Sequence, residues 1–215
     1  MTRLPRAIAT LLTTSLVGAV GLVAAPVHAV GLALPVQCET GEETVLPWDD
    51  VAYDLNGTCG VVRVTADRAS VTMPAATQLI IDGAGNTVTA KPLAAVTIVG
   101  ADNSLTTPSV QDLGVTGPRA SVVVSGLVER AVLGSTSSSL TADTINVLRL
   151  RGADTVAARL AYRARITGSD NLLRLTRADR LVLTGDRNAV TVARGRTTLR
   201  DRGQANVLDL RRRRS

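Results

Sequence analysis

Leu79-Ile80-Ile81-Asp82-Gly83-Ala84-Gly85-Asn86-Thr87-Val88 returns 17 residues later as Val96-Thr97-Ile98-Val99-Gly100-Ala101-Asp102-Asn103-Ser104-Leu105. Alternating apolar residues on either side of a Gly-x-x-Asn turn, repeated at fixed period, are how a stacked β-structure is written in sequence. Extending the phrase in both directions with the turn glycine as origin gives Ala66, Gly83, Gly100, Gly117, Gly134, Gly152, Gly168, Gly185 and Gly203, at intervals of 17, 17, 17, 17, 18, 16, 17 and 18. Nine rungs follow.

Two residues before each origin stand Val64, Ile81, Ile98, Val115, Val132, Leu150, Ile166 and Leu183, before Asp201 breaks the column. Four before stand Val62, Leu79, Val96, Leu113, Arg130, Leu148, Ala164, Leu181 and Leu199, with only Arg130 out of character. A third column, five after the origin, runs from Val71 to Leu208, and an extra residue within Ser135–Ser139 is read as the cause of the 18-residue interval. Spacing of two between core columns is the strand period, where a helix would need three and four. The chain is therefore expected to be all-β: a parallel β-solenoid of about nine 17-residue rungs, each about 4.8 Å above the last.

The recurrent glycines, Gly83, Gly100, Gly168 and Gly185 among them, suit a turn position with positive φ. Asn86, Asn103, Asn171, Asn188 and Asn206, three residues later, either tolerate the left-handed region or form a column exchanging amide hydrogen bonds between rungs.

The phrase hydrophobic-x-hydrophobic-x-Gly-x-x-Asn-x-Val resembles the repeats of secreted bacterial proteins of unknown function. More distantly it is similar to the right-handed parallel β-helix superfamily that includes pectate lyases. The resemblance covers about residues 62–210 and implies fold and export. It does not imply lyase activity, because these rungs are short and no extended loop is available to build a substrate cleft.

Residues 1–29 read as a signal peptide: Arg3 and Arg6 precede an apolar run, and Val27-His28-Ala29 is a small-residue cleavage site. The exported chain would begin at Val30 and be secreted or associated with the cell surface. Residues 30–61 lack the repeat and carry both cysteines, Cys38 and Cys59; in an exported chain these are expected to pair and to close an N-terminal cap. Residues 62–210 form the repeat domain, and residues 211–215 a basic tail. Asn56-Gly57-Thr58 matches a glycosylation acceptor but reads more simply as a tight turn.

Chemistry is narrowly bounded. His28 is the only histidine and lies in the leader, which removes histidine triads, histidine-ligated zinc and the usual neutral-pH proton shuttle from the exported chain. No dinucleotide or phosphate-loop signature is present, and no cofactor is expected. Asp154 and Asp170 each follow a turn glycine by two residues, so the 17-residue alignment stacks them one rung apart. That placement offers either a weak metal or glycoside-type carboxylate pair, or a solvated ladder with Arg187. Arg163, Asp179 and Arg196 align in the same way.

Charge is segregated along the chain. Residues 30–62 hold six acids and no base, residues 63–144 five bases and six acids, and residues 145–215 seventeen arginines and six acids. The basic end, with Arg194, Arg196, Arg200, Arg202 and Arg211, Arg212, Arg213 and Arg214, admits three readings: binding of anionic envelope polymers or phospholipid headgroups, head-to-tail self-association with the acidic start, or a solvated tail that blocks strand addition. Nucleic acid is a poor fit, because a base-stacking platform needs aromatics and this chain has one Trp, two Tyr and no Phe. The expected role is a non-enzymatic structural or adhesive element of the cell envelope, with a polysaccharide lyase or hydrolase on the same scaffold as the alternative.

Overall fold

The computed structural model describes residues 32–211, and the leader with its cleavage site, together with Arg212, Arg213 and Arg214, lies outside the described residues. Strands and tight turns account for the whole described chain, with no helix. In order the strands are β1 (Leu34–Cys38), β2 (Glu43–Leu46), β3 (Ala52–Gly57), β4 (Cys59–Val64), β5 (Ser70–Met73), β6 (Ala76–Ile81), β7 (Thr87–Ala90), β8 (Leu93–Ile98), β9 (Ser104–Thr107) and β10 (Val110–Val115). Then come β11 (Ser121–Leu133), β12 (Thr136–Leu150), β13 (Ala153–Ile166), β14 (Leu172–Leu183), β15 (Ala189–Val192), β16 (Thr198–Asp201) and β17 (Val207–Leu210).

Every pairing is parallel and joins a strand to its counterpart one coil away. One ladder runs β1, β3, β5, β7, β9, the first halves of β11 to β14, β15 and β17. The other runs β2, β4, β6, β8, β10, the second halves of β11 to β14, and β16. This is a parallel β-solenoid of about ten turns.

The inward side chains explain why 17 residues close one coil. From Val71 the buried positions are Met73, Ala76, Leu79, Ile81, Gly83, Asn86 and then Val88. Steps of two keep the strand period, and the three steps of three, at Met73–Ala76, Ala76–Leu79 and Gly83–Asn86, are corners where two residues turn outward together. The interior is a continuous column of Val, Leu, Ile and Ala, and each larger aliphatic side chain so buried contributes about 1.5–3 kcal/mol.

Residues before Val62 belong to this stack. β1 pairs with β3 and β2 with β4 in the same parallel sense, so the segment without the repeat forms the first coil. The Cys38–Cys59 disulfide, Cα atoms 4.9 Å apart, ties it to the second. Both sulfurs point into the core, where each cysteine is almost fully buried.

Two expectations require correction. Gly134 is not the column's origin in its coil: Val115 pairs with Leu133, Ala131 and Leu133 are buried, and Arg130 and Val132 face outward. The extra residue sits between Val124 and Leu127, where the register shifts, rather than within Ser135–Ser139. Ser135 therefore takes the glycine's place, and Arg130 is out of character in a core column because it belongs to an outward one, in register with Asp112. The glycines are also explained differently. Gly83, Gly100, Gly168 and Gly185 do not have positive φ. A Cβ on any of them would run into the carbonyl oxygen of the equivalent residue one coil earlier, so they are glycines because the turns stack too closely for a side chain. The left-handed position falls two residues later, at Arg68, Gly85, Asp102, Arg119, Asp170 and Arg187.

Candidate functional site

Two side-chain systems grow out of the stacked turns. The first is buried. Asn86 Nδ2 donates to the Ala66 carbonyl at 2.8 Å while its Oδ1 accepts from Ala69 N at 2.8 Å, and Asn103 repeats the pattern with the Gly83 carbonyl and Asn86 N. Asn171, Asn188 and Asn206 continue the ladder from coil to coil, each Oδ1 accepting from the backbone of the coil before it. Ladder bonding is thus the role of these asparagines; none of them occupies the left-handed region.

Between the asparagine runs the same column holds Ala120, Ser138 and Asp154. Ser138 Oγ donates to the Gly117 carbonyl at 3.0 Å. Asp154 is 1% exposed, and its Oδ1 accepts from Ser135 Oγ at 2.7 Å and from Ser138 N at 3.1 Å. Its Oδ2 has no hydrogen-bond partner among the described residues. Asp154 is therefore a buried ladder residue, whereas Asp170 is an exposed turn residue bound to Arg187, and the two do not stack. The 16-residue coil between Ser139 and Thr155 shifts one column past the other. It also undoes the alignment of Arg163 with Asp179, since Arg163 pairs in register with Arg180. No cluster of three metal-ligating side chains occurs among the described residues.

The second system is an exposed corner of Asp–Arg pairs at the left-handed turn position. Asp50 with Arg68, Asp102 with Arg119 and Asp170 with Arg187 each form two hydrogen bonds of 2.6–2.8 Å across one coil. Hydrogen bonds from the guanidinium hold the carboxyls of Asp50, Asp102 and Asp170 below their ordinary value, and Arg159 does the same to Asp143. These solvent-exposed pairs position side chains without adding much stability individually.

Unpaired charge lies elsewhere. The outward positions of the second ladder carry Arg149, Arg165, Val182 and Arg200 in one register column, and Val147, Arg163, Arg180 and Thr198 in the next. Arg151 and Arg202 lie just past the strand ends. These seven arginines are exposed, and none forms a salt bridge or side-chain hydrogen bond among the described residues. Neighbouring coils space them about 4.8 Å apart, and alternate residues of a strand about 6.6 Å. Shallow grooves of about 760 and 300 Å³ run between them, the larger lined by Glu129, Tyr162, Arg163, Asp179 and Arg180, the smaller by Arg149, Arg151, Arg165 and Thr167. Glu129 and Asp179 stand three coils apart, roughly 14 Å from the strand spacing, which exceeds the separation of a glycosidase carboxylate pair.

Of the arginines expected from the sequence, Arg200 and Arg202 belong to this face. Arg194 and Arg196 are exposed on the turn before β16, and Arg211 lies 3.6 Å from Asp209. Arg149, Arg151, Arg163, Arg165 and Arg180 were missed as a group. Their signal is the Arg-x-Arg of Arg149–Arg151 and Arg163–Arg165, two outward side chains flanking one inward leucine or alanine. By contrast the first ladder's outward positions from Ser70 to Ala157 are uncharged, dominated by Thr72, Thr87, Thr89, Thr106 and Thr141.

No protein-family model, curated protein or solved structure matches this chain.

Proposed function

We propose that this chain is an exported, non-enzymatic β-solenoid that serves as a structural or adhesive element of the cell envelope and grips a linear anionic polymer there. The observation that carries this reading is the arginine face of the last coils: Arg149, Arg163, Arg165, Arg180 and Arg200 repeat in register on one sheet, with no acidic partner of their own among the described residues. A guanidinium engages phosphate, sulfate or carboxylate oxygens through two parallel hydrogen bonds. A flat array at fixed spacing meets successive anionic groups along a polymer at little further entropic cost. The disulfide supports export, since such bonds persist in oxidising compartments.

The test is sedimentation of the chain from Val30 onward with isolated cell envelopes, with long-chain polyphosphate and with anionic phospholipid vesicles, at rising salt. Arg163→Thr with Arg165→Thr and Arg180→Thr keeps the strand propensity and removes three charges. Retention on envelopes and polyphosphate that falls with salt and drops at least tenfold in the triple variant is expected. Retention indifferent to both overturns the reading, and binding to vesicles alone moves it to lipid headgroups. Release of new sugar ends from envelope polysaccharide would replace it with a lyase or hydrolase.

A further inference from the structure

Both ends of the described stack are open. β1 and β2 pair only inward, with β3 and β4, and β16 and β17 pair only with β14 and β15 among the described residues. Among the described residues each end therefore presents a row of free backbone donors and acceptors, a template for another strand. The half-buried hydrophobic residues packed against the core lie at these same two ends: Leu34, Val36 and Val51 in the first coil, Leu199, Leu208 and Leu210 in the last.

We infer that the last coil of one molecule docks on the first coil of another, so that copies of this chain stack head to tail. The register columns make the fit specific. Leu208 stands in the column that begins with Leu34, and Leu210 in the column that begins with Val36, so a copy continuing the stack lays leucine on leucine and leucine on valine. Charge agrees at one turn of each end. The turn between β15 and β16 carries Arg194 and Arg196, and two coils further on in the continued stack, about 9.6 Å by the strand spacing, the turn between β1 and β2 carries Glu39 and Glu42. Opposite signs are brought nearest in this orientation, whereas head-to-head and tail-to-tail contacts bring like charges together. A contact between two different surfaces does not close on itself, so it builds a linear filament. The disulfide holds the receiving coil in its docking shape beforehand.

The experiment measures mass by light scattering and sedimentation against concentration and salt, for the exported chain and two charge-reversed forms. One carries Arg194→Glu with Arg196→Glu, the other Glu39→Arg with Glu42→Arg. The unaltered chain is expected to grow in integral multiples of its mass with concentration, and to shrink at high salt. Each variant alone, shown to be folded by its β circular dichroism, remains a monomer because its two ends now repel. Mixing the two variants restores growth, since each end then meets its opposite. An unaltered chain that stays monomeric at millimolar concentration overturns the inference, as do variants that assemble like the parent or a mixture that fails to recover.

Discussion

Ser135 Oγ donates a 2.7 Å hydrogen bond to Oδ1 of Asp154, in a column where the next coil uses Asn171. The other carboxylate oxygen, Oδ2, is buried and has no partner among the described residues. In the asparagine coils the equivalent atom is an amide nitrogen donating to a turn carbonyl, as Asn188 does to Gly168 at 3.1 Å. Asp154→Asn therefore keeps the acceptor used by Ser135 and Ser138 and replaces an orphaned oxygen with the donor the column is built for. It is expected to stabilise the fold by about 1–3 kcal/mol, the usual penalty of an unsatisfied buried polar group. Denaturant midpoints of the two proteins are the check; a less stable variant would show that the carboxylate is needed.

The glycine column yields a paired prediction. A Cβ at Gly100 meets the carbonyl oxygen of Asp82 at 2.6 Å and comes closer still to that of Gly83, both rigid backbone atoms. Gly100→Ala should destabilise by about 3 kcal/mol, at the upper end for overpacking. A Cβ at Gly134 meets nothing within 4 Å. Gly134→Ala should stay within about 0.5 kcal/mol of the parent. Equal effects in thermal melts would contradict the register described above.

Acid should loosen the turn corner. The carboxyls of Asp50, Asp102, Asp143 and Asp170 are lowered from 3.8, first by hydrogen bonds from arginine. A carboxyl whose folded pKa is depressed contributes stability that is complete above its unfolded pKa and is lost as pH falls through the folded value. Melting temperature should accordingly be flat from neutral pH to just above 3.8 and decline below it. Asp170→Asn, which removes one of these groups, should make that decline shallower. Because the pairs are exposed, the slope should also weaken at high salt.

Reduction of Cys38–Cys59, which spans 21 residues, should lower stability by about 3 kcal/mol in the chain-entropy account. The loss should be local. Hydrogen exchange is expected to quicken in β1 to β3 and to leave β8 to β13 unchanged, because contacts in a stack reach only adjacent coils. Uniform acceleration along the chain would argue for an all-or-none unit.

Inward columns such as Leu79, Val96 and Leu113 were legible in the sequence because one physical rule, alternation against a buried face, repeats at each coil. The first coil was not, since residues 34–51 share the stack's geometry without its phrase. Arg130 was the warning that the register had slipped, but glycine at position 134 looked like the expected turn. A glycine dictated by close stacking and one that is merely tolerated read alike in one dimension. That misplacement, and the short coil near Asp154, also decided the candidate site. Which arginines share a face depends on every insertion and deletion before them, so Arg163 seemed to face Asp179 when it stands beside Arg180. The ladder role of Asn86 and Asn103 was one of two readings their side-chain chemistry offered, and Asp154's membership in that ladder was not among the expectations.

Every described strand after β2 rests on one that precedes it by a single coil, and the earliest coil is the one that is covalently fastened. A nascent chain that reaches solvent amino end first needs only its most recent few dozen residues to add the next layer, with the finished layers serving as the mould. Growth of the native state is then directional, and translocation through a narrow pore would feed it in the order it requires.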